Sequence, residues 1–252
     1  MNTPLAIPDT ASELERRVAA IRSSPTYRLA EDDPGFMEGE TARASRLSLE
    51  FMRVDDYLRA QRIRSTVAVF GGSRMPVSSH WYAEARILGG LLARAGMHPQ
   101  GYDFVVATGG GPGIMEAANR GAAEAGAPTI GFNIRLPDDQ PPNPYVTPTL
   151  AFRFHYFALR KMHFLMRARA LVAFPGGYGT LDELFEALNL VQTRVIAPMP
   201  IVLVGREHWR RAVDFEYLLG QALIDARDSE LFTVVDSGAD AARHVSRYHG
   251  IA

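Results

Sequence analysis

From Thr66 onward the chain alternates short, apolar, β-branched runs with stretches of helical spacing, and that alternation leaves few folds open. Thr66–Phe70, Phe104–Ala107, Pro128–Phe132, Ala170–Phe174, Pro200–Val204 and Phe232–Val235 each read as a buried strand. Runs of this kind, without polar alternation, suit strands covered on both faces, as in a parallel sheet. The segments between them, Ser78–Ala95, Gly113–Ala125, Tyr156–Arg169, Leu181–Thr193 and His208–Ala226, carry helical spacing. The expected fold is α/β, a Rossmann-like, doubly wound, mostly parallel sheet with helices on both faces. In such sheets ligands bind outside the carboxyl ends of the strands.

Residues 1–62 read as an N-terminal helical extension, with helical spacing over Ala11–Ile21 and Glu40–Arg59 and breakers at Ser24-Pro25 and Asp32–Gly35. Residues 63–252 form the expected Rossmann-like domain. One stretch within it, Leu136–Pro148, holds five prolines and suits an extended loop.

Composition excludes several classes of function. Of the 252 residues 47% are hydrophobic and 22% charged, the balance of an ordinary folded domain. With 27 basic against 28 acidic residues the formal charge is -1, so no global field favours nucleic acid as a partner. The absence of cysteine removes disulfides, thiolate metal ligands and thiol nucleophiles, and suits a reducing compartment. Met1–Thr10 has neither a basic nor an apolar leader region, and no stretch approaches the roughly 20 apolar residues that span a bilayer. The expectation is a cytoplasmic protein with no membrane partner.

Three strands end in glycine clusters, Gly71-Gly72-Ser73-Arg74, Gly109-Gly110-Gly111-Pro112-Gly113 and Gly176-Gly177-Tyr178-Gly179-Thr180. Each lies between a strand and a helix, where backbone N–H groups can converge on an anion such as phosphate. One such turn alone is often only a tight connection; three together suggest a phosphorylated small molecule. The spacing G-x-G-x-G at Gly109–Gly113 is not the dinucleotide pattern, and Gly131-Phe132-Asn133 ends the next strand where an acidic ribose ligand would stand, which disfavours a NAD-type site.

Thr180–Glu183 admits two readings. As a capping box, Thr180 would cap the following helix and Glu183 would reach back to it. Yet two carboxylates beside a phosphate cradle repel the ligand unless one has chemistry to perform, which points to Glu183 as a catalytic group. Upstream, Arg160 and Lys161 lie among Phe154, Tyr156, Phe157, Leu159, Met162, Phe164 and Leu165, too apolar a setting for a solvated charged face. Lys161 is the only lysine in the chain.

Arg160-Lys161 followed 15 residues later by Pro175-Gly-Gly-Tyr-Gly-Thr-Leu-Asp-Glu183 resembles the R-K…P-G-G-x-G-T-x-x-E signature of the LONELY GUY (LOG) family of nucleotide phosphoribohydrolases, often mislabelled lysine decarboxylases. The likeness extends to Gly71-Gly72-Ser73 and to Gly109–Glu116, and so covers roughly residues 65 to 205. It implies hydrolysis of the N-glycosidic bond of a nucleoside 5'-monophosphate, AMP or an N6-modified AMP, to free base and ribose 5-phosphate, with no cofactor and no metal. It implies Arg160 and Glu183 as the catalytic pair. It implies substrate contacts from Gly72, Ser73, Gly110, Gly111, Glu116, Lys161, Gly176, Gly177, Tyr178, Gly179 and Thr180. It also implies a homodimer or higher homo-oligomer. The chain departs from many members at Asp182, where Glu is common, and at Glu116, where Gly is common.

Two rivals stand beside this. The same fold can carry a nucleotide or a molybdenum cofactor without turnover. A pyridoxal phosphate lysine decarboxylase needs a Schiff-base lysine, and only Lys161 is available. The seven histidines, His155 and His163 near the motif included, form no H-E-x-x-H or similar ligand spacing and read as packing or surface residues. Met162, Met166 and the neighbouring phenylalanines either stack on a base or form a core stripe or dimer face.

Overall fold

The computed structural model describes residues 10–137 and 141–251. The chain divides into two compact units between Leu49 and Glu50. In the first, α1 (Ala11–Arg22) starts at a capping box in which Thr10 and Glu13 satisfy each other's backbone. A short α2 (Pro34–Glu38) follows, capped by Asp33, and α3 (Arg43–Ala60) carries the chain across the division. The expected first ten residues without a leader lie, apart from Thr10, outside the described residues.

The second unit is built on a parallel seven-stranded sheet. Along the chain come β1 (Thr66–Phe70), α4 (His80–Gly96), a small antiparallel pair β2 (Met97–His98) and β3 (Gly101–Tyr102), β4 (Val105–Thr108), α5 (Ile114–Glu124) and β5 (Ile130–Ile134). Then follow β6 (Ala151–Phe154), α6 (Phe157–Met166), β7 (Ala168–Ala173), α7 (Tyr178–Gln192), β8 (Ile201–Val204), α8 (Arg206–Ala212), α9 (Phe215–Gly220), β9 (Thr233–Val235) and α10 (Gly238–Tyr248). The sheet order is β6-β5-β4-β1-β7-β8-β9, every neighbouring pair parallel. From β1 the chain winds outward through β4, β5 and β6, then crosses back to β7 on the other side of β1. The winding therefore reverses between β1 and β7, the place where such sheets open a crevice.

All five residues of β1 and all four of β4 and β8 are buried, as continuous apolar runs require. Two features depart from the sequence expectation. β6 alternates exposed and buried positions, Phe152 and Phe154 facing inward, because it is an edge strand with one covered face. The span His208–Ala226 is not one helix: it breaks at Val213-Asp214, where Asp214 accepts the Tyr217 N–H at 2.8 Å and starts α9. Of the Pro-rich stretch, residues 138–140 lie outside the described residues; beyond them Asn143 ties the loop to the sheet. Asn143 Nδ2 donates to Asn119 Oδ1 and to the Gly111 carbonyl, both at 3.0 Å.

His163 is buried within an aromatic cluster of Phe51, Phe132 and Phe154, and burial lowers its pKa to about 4, so it packs as a neutral ring. His155 is exposed. In α6, Leu159, Phe164 and Leu165 belong to the core, whereas Phe157, Met162 and Met166 are exposed.

Helices α4 and α5 pack so closely that glycine is obligatory between them. A Cβ on Gly121 would lie 1.9 Å from the Arg86 carbonyl oxygen, and one on Gly89 would lie 2.1 Å from that of Ala118. Alanine is the better helix former by roughly 1 kcal/mol, so Gly121→Ala sets propensity against packing. We expect packing to win, with Gly121→Ala lowering stability by about 1–3 kcal/mol in urea unfolding. A neutral or stabilising result would mean the two helices move apart freely.

Candidate active site

The carboxyl ends of β1, β4, β7 and β8 surround one cavity of about 790 Å³, within the range of small-molecule sites. Its wall includes Gly71–Met75 after β1, Gly109 and Met115 after β4, Pro175–Thr180 and Glu183 after β7, Arg160 from α6, and His208 from α8. The crevice lies where the winding reverses.

Backbone bonds hold the turns together. Gly72 donates its N–H to the Pro175 carbonyl at 2.9 Å and accepts the Ile114 N–H at 3.2 Å. Gly113, at φ 71°, has no room for a side chain, since a Cβ would lie 2.3 Å from the Gly72 oxygen. Gly176 is equally confined, by Thr180 Oγ1 at 2.1 Å from such a Cβ. Gly177 and Gly179 are different: a Cβ on either would meet nothing within 4 Å. Packing does not demand glycine there; it leaves the backbone of the turn bare to the cavity.

Helix α7 begins at Tyr178 with Gly177 as its N-cap and no side-chain capping bond. The capping-box reading of Thr180 and Glu183 is thereby overturned. The helix starts three residues earlier than the spacing suggested, which puts Thr180 inside the first turn, its N–H on the Gly177 carbonyl at 3.0 Å. The Leu181 N–H also donates to the Gly177 carbonyl, so it is the Tyr178 and Gly179 N–H groups that have no intrahelical acceptor, at the positive end of the helix dipole. Tyr178 is 93% exposed, so its backbone, not its ring, belongs to the turn.

Freed from capping, Glu183 is 4% exposed, and its carboxylate lies 3.7 Å from Arg160 Nη2. Burial pushes its pKa up to about 7, with Arg160 and Lys161 opposing and Glu186 and Asp182 reinforcing. Burial also pulls the Arg160 guanidinium below its ordinary value, against Glu183 and Asp182. The guanidinium lies over Phe157 and Phe164, 5.3 and 5.5 Å from the ring centroids, and its Nε–H is buried without a partner. An acid poised near neutrality beside a fixed cation is an arrangement suited to proton transfer or to stabilising a positive centre.

Of the site residues expected from sequence, the cavity gathers Gly72, Ser73, Arg160, Gly176, Gly177, Tyr178, Gly179, Thr180 and Glu183. It does not include Gly110, Gly111, Glu116 or Lys161 in its wall. Gly110 donates its N–H to Thr108 Oγ1 at 2.9 Å and accepts the Asn143 N–H at 2.7 Å, so with Gly111 it anchors the neighbouring loop. Glu116 accepts a hydrogen bond from the Tyr82 hydroxyl at 2.8 Å. Lys161 Nζ pairs with Asp182 at 3.0 Å and Glu186 at 2.9 Å. Burial alone would lower its pKa, but the bonds to Glu186 and Asp182 outweigh it and raise the pKa. A Schiff-base lysine needs a free amine, so this residue does not fit pyridoxal phosphate.

His208 was not foreseen. It is half-buried and its Nε2 lies 3.4 Å from the Gly176 N–H; burial lowers its pKa, so the ring stays neutral and can accept. The rule that found the other turns applied here too, since Gly205 ends β8 in a left-handed conformation three residues before His208. Trp209 packs edge-on against His208, centroids 5.1 Å apart, and donates Nε1–H to the Val204 carbonyl. The Trp81 indole lies against the same turn, 3.0 Å from where a Gly205 Cβ would stand.

Residues 115–245, slightly over half of the chain, match the family described as possible lysine decarboxylase. The chain belongs to that family, the LOG family. A curated relative, the probable cytokinin riboside 5'-monophosphate phosphoribohydrolase LOGL5 of Oryza sativa subsp. japonica, is 30% identical over 138 residues, 54% of this chain and 52% of the relative. The chain thus spans about half the length of the curated relative it matches. The X-ray structure of TM1055 superposes with a TM-score of 0.51 at 25% identity, covering 73% of this chain and 99% of that one. Two further structures share the fold, each at a TM-score of 0.51. The molybdenum cofactor binding protein of Rippkaea orientalis is 23% identical and covers 73% of this chain and 97% of its own; the molybdenum cofactor carrier protein of Chlamydomonas reinhardtii is 24% identical and covers 74% and 99%. Among the described residues no group of three or more His, Cys, Asp or Glu could hold a metal, and no helix is long and apolar enough to cross a membrane.

The raised pKa of Glu183 has a consequence for stability. Between pH 4.5 and about 7 the folded state keeps a proton that the unfolded chain releases, so this group makes stability fall as pH rises through that window. Glu183→Gln, which mimics the protonated acid, is expected to be more stable than the parent at pH 8, by up to about 3 kcal/mol, and nearly equal to it at pH 4.5. A melting-temperature difference that does not grow with pH would contradict the buried, ionising carboxylate.

Proposed function

We propose that the chain hydrolyses the N-glycosidic bond of a nucleoside 5'-monophosphate, AMP or an N6-modified AMP, releasing free base and ribose 5-phosphate. The observation that carries this reading is the buried Glu183 carboxylate facing Arg160 in a cavity floored by bare glycine backbone. Family membership and the rice relative's name support it.

In this reading the 5'-phosphate lies on the Gly176–Thr180 turn, against the free N–H groups and dipole of α7, with Gly72 and Ser73 opposite. Phosphate binding energy, spent far from the bond that breaks, positions the sugar. As the C1'–N bond lengthens its electron pair leaves with the base, and the sugar becomes oxocarbenium-like. The Glu183 carboxylate stabilises that cation and takes a proton from the water that adds to C1'; passed on to the departed base nitrogen, that proton gives the neutral base and restores the carboxylate. Arg160, permanently charged, anchors the ligand and the carboxylate and is not a proton donor. The protein works in the cytoplasm as a homodimer or larger homo-oligomer, in which the exposed Phe157, Met162 and Met166 of α6 are covered.

The second reading, a nucleotide or molybdenum-cofactor carrier of the same fold, is favoured by the two cofactor proteins that share the architecture. It leaves the partly neutralised, buried Glu183 without a task. Chromatography of products from a panel of nucleoside 5'-monophosphates, N6-isopentenyl AMP included, beside the unphosphorylated nucleosides, separates the two. Free base from the monophosphates alone is expected. AMP binding without release of base from any of them would leave the carrier reading.

Turnover is further expected to rise with pH through about 7 as Glu183 loses its proton, and Glu183→Gln to bind AMP while losing at least about 100-fold in kcat. A pH-independent rate between pH 5.5 and 8.5, or normal turnover by the variant, would remove Glu183 from the mechanism.

A further inference from the structure

Three carboxylates crowd one stretch of α7. Glu186 follows Glu183 by three positions and is its neighbour on the helix face, while Asp182 precedes it directly and acts on it through charge alone. Their exposures differ: the side chains of Asp182 and Glu186 are 61% and 31% exposed, that of Glu183 only 5%. Because Glu183 is buried, the charges beside it are screened less than they would be between two exposed groups, Glu186 least of all. Two like charges at this range favour the protonated form of Glu183.

Lys161 stands on the outer side of this cluster. Its ammonium spans the gap between Asp182 and Glu186, at 3.0 and 2.9 Å, and does not reach the cavity wall. A compact ammonium with three rotatable donors suits two carboxylates nearly a turn apart. It is also the one lysine among the 27 basic residues of this chain.

We infer that Lys161 serves the site without touching the ligand: by bridging Asp182 and Glu186 its single positive charge offsets half of the negative charge that flanks Glu183, and so helps hold Glu183 available as a carboxylate. It is a positioning residue for the charge of Glu183, which departs from the nucleotide contact that the family resemblance implies for it. The other ionisable groups around Glu183 are Arg160 on α6, Arg74 after β1 and His208 on α8, the last two in the wall of the same cavity. Of these only Arg160 is in contact with Glu183. Removing Lys161 therefore leaves two anions against one cation. The functional importance of this device rests on the proposed role of Glu183, but the device itself does not.

Carbon-13 NMR titration of the glutamate side-chain carboxyls tests it, with Glu183 assigned by the signal missing from Glu183→Gln. Lys161→Met is expected to raise the Glu183 midpoint by about one pH unit, and Lys161→Arg, which keeps the charge, to hold it within about 0.3 of the parent. The acid limb of the kcat profile should move with the NMR midpoint. An unmoved or lowered midpoint in Lys161→Met overturns the inference, and so does an equal rise in both variants, which would assign the effect to packing. Should Lys161→Met not fold, the double variant Asp182→Asn with Glu186→Gln gives the converse test: the Glu183 midpoint must fall, and an unchanged one overturns the idea. The titration needs no turnover. Failure of the hydrolase reading, seen as no base released from any monophosphate, is thus distinct from failure of this one.

Discussion

Everything in the cavity depends on the peptide groups of Gly72. Its N–H is spent on the turn after β7 and its carbonyl on the start of α5, so one residue ties three strand ends into a single floor. The chains approach so closely here that a Cβ at Gly113 would meet the Gly72 and Ser73 backbone, and one at Gly176 would meet Thr180 and the Gly71 backbone. The reversal of winding between β1 and β7 opens the crevice; the Gly72 bonds set its depth. What remains unpaired after this stitching is the pair of N–H groups of Tyr178 and Gly179 at the start of α7, both residues of the cavity wall.

Against that neutral floor the site carries one strongly perturbed acid. Glu183 owes its proton affinity to burial, and the cations near it restrain the effect without abolishing it. Arg160 is costly to bury as well, and the two aromatic faces beneath it offset part of that cost. The pair is looser than a hydrogen-bonded ion pair, which leaves the guanidinium able to turn toward an anion while keeping Glu183 within reach.

The sheet was legible because buried parallel strands must be continuously apolar, and β1 and β8 announce themselves in those terms. β6 was hidden for the opposite reason, since an edge strand such as Ala151–Phe154 is only half covered and its arginine and exposed alanine disguise it. The break at Val213-Asp214 was lost because the residues on either side keep helical spacing. Glu183 and Arg160 could be picked out by the conflict between a carboxylate and a phosphate cradle, and by arginine among aromatics. The true start of α7 could not, because Thr180 is a good cap wherever it falls and only the backbone path decides. Lys161, likewise, stands among the substrate contacts that the family resemblance implies, next to Arg160 in the sequence. One residue along a helix turns a side chain by about 100°, and that rotation carries it to Asp182 and Glu186 instead.

The wall formed by Gly205 and α8 gives the molecule an optical property. The sequence holds two tryptophans, and Trp81 and Trp209 both stand at this wall, one against the left-handed turn and the other against His208. Ultraviolet emission from this protein is therefore a local signal. Its tryptophan component arises beside Gly205 and His208, at one end of β8, with an imidazole of the cavity wall in contact with one of the two indoles.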